Sequence, residues 1–235
     1  QDVVTATSDD FVEWGISLAG RKRTQADRAF PLAYDHSVAI LESDRSLEDV
    51  LPTHVRRNRL AVFAGTLVPQ FDFDLVLKLA QLMPEISFVI CGDGPLFESV
   101  RTRAPHNVYL TGWLGATDLR LVLDRADVAL APYNSTKDFE ANIPNKIVEY
   151  LACGLPVISS LTDGLVANLL ASHGVGTTAP RDDTMAWQSA ISNLIALPEE
   201  QLRHISDRCQ AIFRERFDAQ RVALEYVRAM EEFVG

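Results

Sequence analysis

Cysteine is scarce in this chain: three residues in 235, at Cys91, Cys153 and Cys209. They are widely spaced and two sit in apolar stretches. That argues against a disulfide framework or a cysteine-built metal site and favours reduced, structural thiols, as in a cytoplasmic protein. Basic residues are also short, with 22 Lys and Arg against 32 Asp and Glu and a formal net charge of −10. Such a balance argues against a non-specific nucleic-acid binder, which needs a basic surface, but leaves room for a small anion held by a few local donors. Long apolar runs are missing, and none approaches the roughly 20 residues of a membrane span. Residues 1–5 show no basic start leading into an apolar core, so no secretion signal is expected there. What is present, 47% hydrophobic and 23% charged residues, is the make-up of a soluble globular protein. The length suits one large domain or one domain with a piece of another.

The chain opens on a small β-α-β pattern. Residues 2–7 are rich in β-branched side chains and read as a strand. A helix over 9–18 follows, with Ser8 or Asp9 as N-cap and Gly20 as its end. Arg21, Lys22 and Arg23 read as a solvated loop rather than a phosphate site. Residues 29–34 suggest a second strand, and 35–59 show no clean period beyond a short helix near 46–51. This unit is too small to bury a core alone. From Arg59 a regular alternation begins, with strands expected at 60–64, 86–91, 108–111, 128–131 and 156–160 and a last short one at 174–178. Helices are expected between them at 73–82, 96–102, 118–124 with Thr117 as N-cap, and 165–173. Continuous apolar strands alternating with helices predict an α/β fold, a Rossmann-like parallel sheet with helices on both faces. Three amphipathic helices, at 184–197, 199–216 and 218–233, complete the chain, and their apolar stripes, Trp187 included, read as core-facing sides.

Residues 144–160 carry the strongest chemical signal. Pro144 fits the first position of a helix whose apolar stripe is Ile147, Val148 and Leu151. Gly154 stands where a left-handed cap is wanted, and Pro156 blocks continuation into a strand. Asn145, Lys146 and Glu149 are left on the polar face near the helix N-terminus. Two readings stay open on spacing alone: a solvated i,i+3 ion pair, or a cation, an amide and a carboxylate holding an anionic, hydroxyl-bearing ligand beside free backbone N–H groups. Gly65, Gly92, Gly94 and Gly112 each follow an expected strand and so share one edge of the sheet. Each alone is a tight turn; together they suggest close backbone approach to a ligand beyond the carboxyl ends of the strands.

These stretches resemble a family, the nucleotide-sugar-dependent glycosyltransferases of the two-domain GT-B fold (group 1), and specifically their C-terminal, donor-binding domain. The resemblance is carried by residues 62–65 (VFAG), 88–95 (FVICGDGP), 108–113 (VYLTGW), 126–133 (ADVALAPY) and 144–158, in the family's order over residues 58–234. Asp72–Phe73–Asp74–Leu75 lies closer to the branch containing the glucuronosyltransferase of xanthan assembly. The resemblance implies a domain plan: 1–35 a remnant of an N-terminal acceptor-binding domain, 36–58 an interdomain linker, 59–216 the donor domain and 217–235 a crossover helix. It implies that Glu149 is the second glutamate of a Glu-x7-Glu element, receiving ribose hydroxyls, and that Lys146 meets the diphosphate, these two being the catalytic candidates. Gly112, Trp113 and Leu114 would flank the base, and Gly65 the phosphates or donor sugar. Thr66, Gly92, Asp93, Gly94, Tyr133 and Asn145 complete the expected nucleotide-sugar site.

Two departures from the family pattern stand out. The first glutamate is replaced by Ala141, with Glu140 one residue away. The usual arginine and lysine after the first strand are replaced by Thr66 and, nearby, Gln70 or Asp72. No Asp-x-Asp metal constellation stands out and no cofactor is implied beyond the donor, a UDP- or GDP-linked sugar. The other implied partners are a glycan or lipid-linked acceptor and the missing N-terminal domain, with the full enzyme in the cytoplasm or at the inner face of the membrane. A fragment of this kind is expected to bind donor but transfer poorly alone. The competing readings are a non-catalytic scaffold partner of a glycosyltransferase and a nucleotide-sugar 2-epimerase, whose acid/base set cannot be assembled from His36, His54, His106, His173 and His204.

Overall fold

The computed structural model describes residues 2–37, 45–134 and 137–234. Residues 38–44 of the expected linker lie outside the described residues. The main body is a six-stranded, all-parallel sheet. Its strands are β3 (Arg59–Ala64), β4 (Ile86–Cys91), β5 (Val108–Gly112), β6 (Val128–Ala131), β7 (Val157–Ser159) and β8 (Gly176–Thr178), in the spatial order β5-β4-β3-β6-β7-β8. A separate two-stranded parallel sheet pairs β1 (Thr5–Ala6) with β2 (Arg28–Ala29).

The central strands are buried on both faces, which is why they read as unbroken apolar runs. In β3, Leu60, Val62 and Ala64 join one core layer while Ala61 and Phe63 join the other, as the two-residue period of a strand requires. One layer is closed by the helices Ala116–Arg125, Asn145–Ala152, Gly164–His173 and Glu199–Arg216, the other by Phe73–Leu82, Phe97–Arg103 and Thr184–Ile195. Trp187 is fully buried in that second layer, and its indole N–H donates to the Pro180 carbonyl. The three cysteines are free and buried.

Several expected boundaries move. Pro144 is the N-cap rather than the first helical residue: its backbone is extended (ψ 150°) and its carbonyl accepts from Ile147 N–H. The helix expected from 118 starts at Ala116 with Gly115 as N-cap, because Leu119 N–H already reaches the Gly115 carbonyl, so Thr117 lies inside the first turn. Gly174 belongs to a left-handed helix cap (φ 59°) and not to a strand, which leaves only Gly176–Thr178 paired. Among the described residues of the expected linker, two short helices, Leu47–Val50 and Thr53–Arg56, stand where one was expected.

The two strands of the first unit shrink to two residues each, because each has only the other to pair with. Tyr34 leaves this unit and makes an isolated parallel bridge to Asp218. The first helix runs Asp9–Ala19, with Ser8 Oγ accepting from Phe11 N–H at 3.2 Å. The expected basic loop is tied down: Arg21 donates to the buried Asp27 carboxylate at 2.6 Å, and Arg23 pairs with Asp9 and Glu13. The last helix, Ala219–Val234, lies on this unit through Phe30 against Tyr226 (ring centroids 5.0 Å apart) and Arg28 to Glu232 at 2.7 Å.

Candidate functional site

The strand order reverses between β3 and β6: the chain steps outward through β4 and β5 on one side and through β7 and β8 on the other. Parallel sheets open a ligand crevice at such a point, beyond the carboxyl ends of the strands. Gly65 leaves β3 there, and the Asn145–Ala152 helix begins there after β6. Two hydrogen bonds stitch the loops on either side of the crevice, Asp72 N–H to the Pro132 carbonyl at 2.7 Å and Asn134 N–H to the Gln70 carbonyl at 2.8 Å.

Lys146 is not a solvated helix residue. Its ammonium turns inward, donates to the Ala64 carbonyl at the end of β3, and lies 4.2 Å from the Phe63 ring centroid and 4.8 Å from that of Phe71. Burial lowers its pKa to about 8, against the opposing pull of Glu149 and Cys91. The glycine at 65 has a direct cause here. Its backbone is left-handed (φ 139°), and a Cβ added to it would fall on the Lys146 ammonium.

Glu149, one turn on, is half-buried. Burial raises its pKa, while Lys146 and the nearby Tyr34 hydroxyl pull it down. Tyr34 arrives from the first unit, held by its N–H to the Phe217 carbonyl at 3.0 Å and by Ala219 N–H to its own carbonyl at 3.2 Å. An ammonium and a carboxylate thus stand one turn apart at a helix N-terminus, whose first N–H groups have no partner within the helix. Chemically, the set can hold an anion at Lys146 and a pair of hydroxyls at Glu149.

The other expected residues divide. Gly65, Gly92, Gly94 and Gly112 do share one rim, and the rim is stitched: Gly65 N–H to the Cys91 carbonyl at 2.8 Å, Leu67 N–H to the Asp93 carbonyl at 2.9 Å, Gly92 N–H to the Gly112 carbonyl at 2.9 Å. A Cβ at Gly92 would strike the Gly65 carbonyl and one at Gly94 the Leu67 backbone, so these two glycines let neighbouring loops pack together. Thr66, Asp93 and Asn145 are exposed, and Asp93 accepts from Gly94 N–H. Trp113 is 74% exposed beside Gly112, and Leu114 packs against the core. Tyr133 lies elsewhere in character: it is 2% exposed and packs at a tilt between the rings of Phe71 and Phe139, a core position. Glu140, next to Ala141, ends a short helix whose backbone packs on Gly164. Sequence reading missed Tyr34, Phe63 and Phe71, which look like strand and core aromatics until the fold puts them on Lys146 and Glu149.

This sheet, its reversal point and the helix N-terminus facing it define a class, the Rossmann-like α/β fold of GT-B glycosyltransferases. Sucrose-phosphate synthase from Thermosynechococcus elongatus superposes with a TM-score of 0.77 at 18% identity, over 99% of this chain and 58% of that one. Anabaena Alr3699/HepE in complex with UDP gives 0.77 at 17% identity, over 98% of this chain and 64% of that one. Residues 58–196, more than half of the chain, match the family described as Glycosyl transferases group 1. The chain belongs to that family. A chitobiosyldiphosphodolichol beta-mannosyltransferase of Debaryomyces hansenii is 27% identical over 173 residues, which cover 66% of this chain and 36% of that enzyme. The putative teichuronic acid biosynthesis glycosyltransferase TuaH of Bacillus subtilis is 28% identical over 102 residues, 42% of this chain and 25% of TuaH. The aligned stretch thus spans about a third of the mannosyltransferase's length and less of TuaH's. Among the described residues no helix is long and apolar enough to cross a membrane.

Proposed function

We propose that this chain is the donor-binding part of a glycosyltransferase that moves a sugar from a nucleoside-diphosphate sugar, UDP- or GDP-linked, to a glycan or lipid-linked acceptor. The observation that carries this reading is the pairing of Lys146 and Glu149 at one helix N-terminus, at the reversal point of the sheet. Glu149 receives the ribose hydroxyls, and Lys146 meets the diphosphate. The bond from the sugar's anomeric carbon to the diphosphate oxygen breaks with its electron pair leaving on that oxygen. The acceptor oxygen forms the new bond and gives up its proton. Lys146 and the helix N-terminus stabilise the charge that grows on the leaving group, so this chain's contribution to the step is electrostatic.

Residues 1–35 and the final helix then belong with an N-terminal acceptor-binding domain, which supplies any base for the acceptor, and 36–58 link the two parts. On this reading the chain alone binds donor and transfers poorly. Calorimetric titration with UDP, GDP and their sugars tests it. Saturable binding is expected, weakened by about tenfold or more in both Lys146→Ala and Glu149→Ala, since each removes a charge-assisted contact. Absence of any nucleotide binding by the unaltered chain would sink the reading in favour of a scaffold role.

A further inference from the structure

The family's usual arginine and lysine after the first strand are replaced here, and the structure shows what surrounds Lys146. Phe63 comes from β3 and Phe71 from the loop between β3 and the Phe73–Leu82 helix. Their rings meet edge to face, 5.0 Å apart, and both approach the Lys146 ammonium. Neither ring is free to drift. Phe63 is packed against Phe73 at 5.0 Å and Phe71 against Tyr133 at 5.0 Å. The backbone on both sides of Phe71 is fixed by the two hydrogen bonds to residues 132 and 134, and Phe71 itself makes an isolated antiparallel bridge to Tyr133. Gly65 leaves the space that the ammonium fills.

We infer that Phe63 and Phe71 are positioning residues, a two-ring clamp that holds the Lys146 ammonium charged and aimed at the diphosphate site. The inference rests on the nucleotide-sugar reading given above and deepens it. A cation over the face of an aromatic ring is attracted by the ring's negative quadrupole, the more so where water is thin. The clamp therefore favours the protonated lysine in a place where burial disfavours it, and it fixes the direction of a side chain with four rotatable bonds. The other groups facing the ammonium are Glu149, one turn along its own helix, and Cys91 at the end of β4. Burial pushes the Cys91 thiol up to about 12, so it stays neutral through the working range. Glu149, the Ala64 carbonyl that accepts from the ammonium, and the two rings keep the lysine charged.

The test compares Phe71→Leu, which keeps apolar bulk and removes the ring, with Phe71→Tyr, which keeps the ring face. UDP and GDP binding to the 235-residue chain is titrated over a pH series, and the Lys146 side chain is titrated by NMR in the ligand-free protein, with Lys146→Met identifying its signal. Phe71→Leu is expected to weaken nucleotide binding about three- to tenfold. It is also expected to lower the Lys146 pKa, shifting the alkaline limb of binding to lower pH, because the charged form loses its ring. Phe71→Tyr is expected to restore both. An unmoved Lys146 titration in Phe71→Leu, or a Phe71→Tyr protein as impaired as Phe71→Leu, overturns the clamp. Wild-type chain that binds neither UDP nor GDP overturns the nucleotide reading, while the ligand-free titration still decides whether the rings hold the charge.

Discussion

The sheet domain and the first unit of this chain are built from the same kinds of element and end up in different conditions. In the sheet domain, six strands share two apolar layers, each closed by helices, and its exposed large apolar side chains are scattered ones such as Leu82, Trp113 and Met185. The first unit has two strands of two residues each and one helix that buries Val12 and Ile16 but leaves Trp14 64% and Leu18 72% exposed. The last helix repeats the pattern, with Val222 and Ala229 buried and Leu224, Tyr226, Val227 and Phe233 exposed. An apolar residue alone on a surface is ordinary, but apolar faces on adjacent elements mark surface made to be covered. The difference teaches where the core resides: the sheet's two apolar layers are closed by its own helices together with Val50, Leu51 and Val55 before it and Phe217 after it, while the first unit and the last helix leave large apolar side chains exposed.

The largest effect should come from opening that core. Phe88→Ala, in the middle of β4 and fully buried, is expected to cost about 3–5 kcal/mol in urea unfolding. A cost under about 1 kcal/mol would break the contrast drawn here.

A smaller effect follows from Lys146. Its pKa in the folded chain, about 8, lies below the ordinary lysine value of 10.5. Between those two pH values the unfolded chain binds a proton that the folded chain does not. Stability should therefore rise with pH across that window, by about 1.4 kcal/mol per unit for this one group. The full benefit is reached above the ordinary value and is absent below about 8. The difference in unfolding free energy between wild type and Lys146→Met isolates it from other titrating groups; a difference flat in pH would place the ammonium in water.

The smallest thermodynamic effect belongs to the uncovered faces. Trp14→Ser with Leu18→Ser should change unfolding free energy by no more than about 0.5 kcal/mol per site. Self-association of the chain, followed by light scattering, should fall. A large loss of stability would show that these side chains are already covered and would erase the comparison.

What could be read in advance follows the same division. Strands 86–91 and 128–131 and helices 73–82 and 199–216 stand where the sequence puts them, because burial on both faces or along one stripe leaves a clear period. The strands of the first unit are shorter than their β-branched pattern suggests, because they pair only with each other and Tyr34 bridges instead to Asp218, far along the chain, which no local pattern encodes. Lys146 and Glu149 were visible as chemistry at a helix N-terminus. The inward turn of Lys146 was not visible, because it depends on Phe71 in a loop and on a space left by Gly65, two features that read as a core aromatic and a turn. Tyr133 shows the converse: the family resemblance puts it in the expected site, while the structure buries its ring between Phe71 and Phe139, a placement that depends on a loop and a short helix.

The bridge between Tyr34 and Asp218 and the ion pair from Arg28 to Glu232, which spans 204 positions, also bear on how the chain is made. Synthesis runs from the N-terminus, so the first unit leaves the ribosome before the sheet and long before the helix that completes it. Contacts this distant in sequence reward the chain only after the intervening loop has closed. The first unit is therefore finished only once the final helix has been made, and until then the apolar surface it presents to that helix stands open.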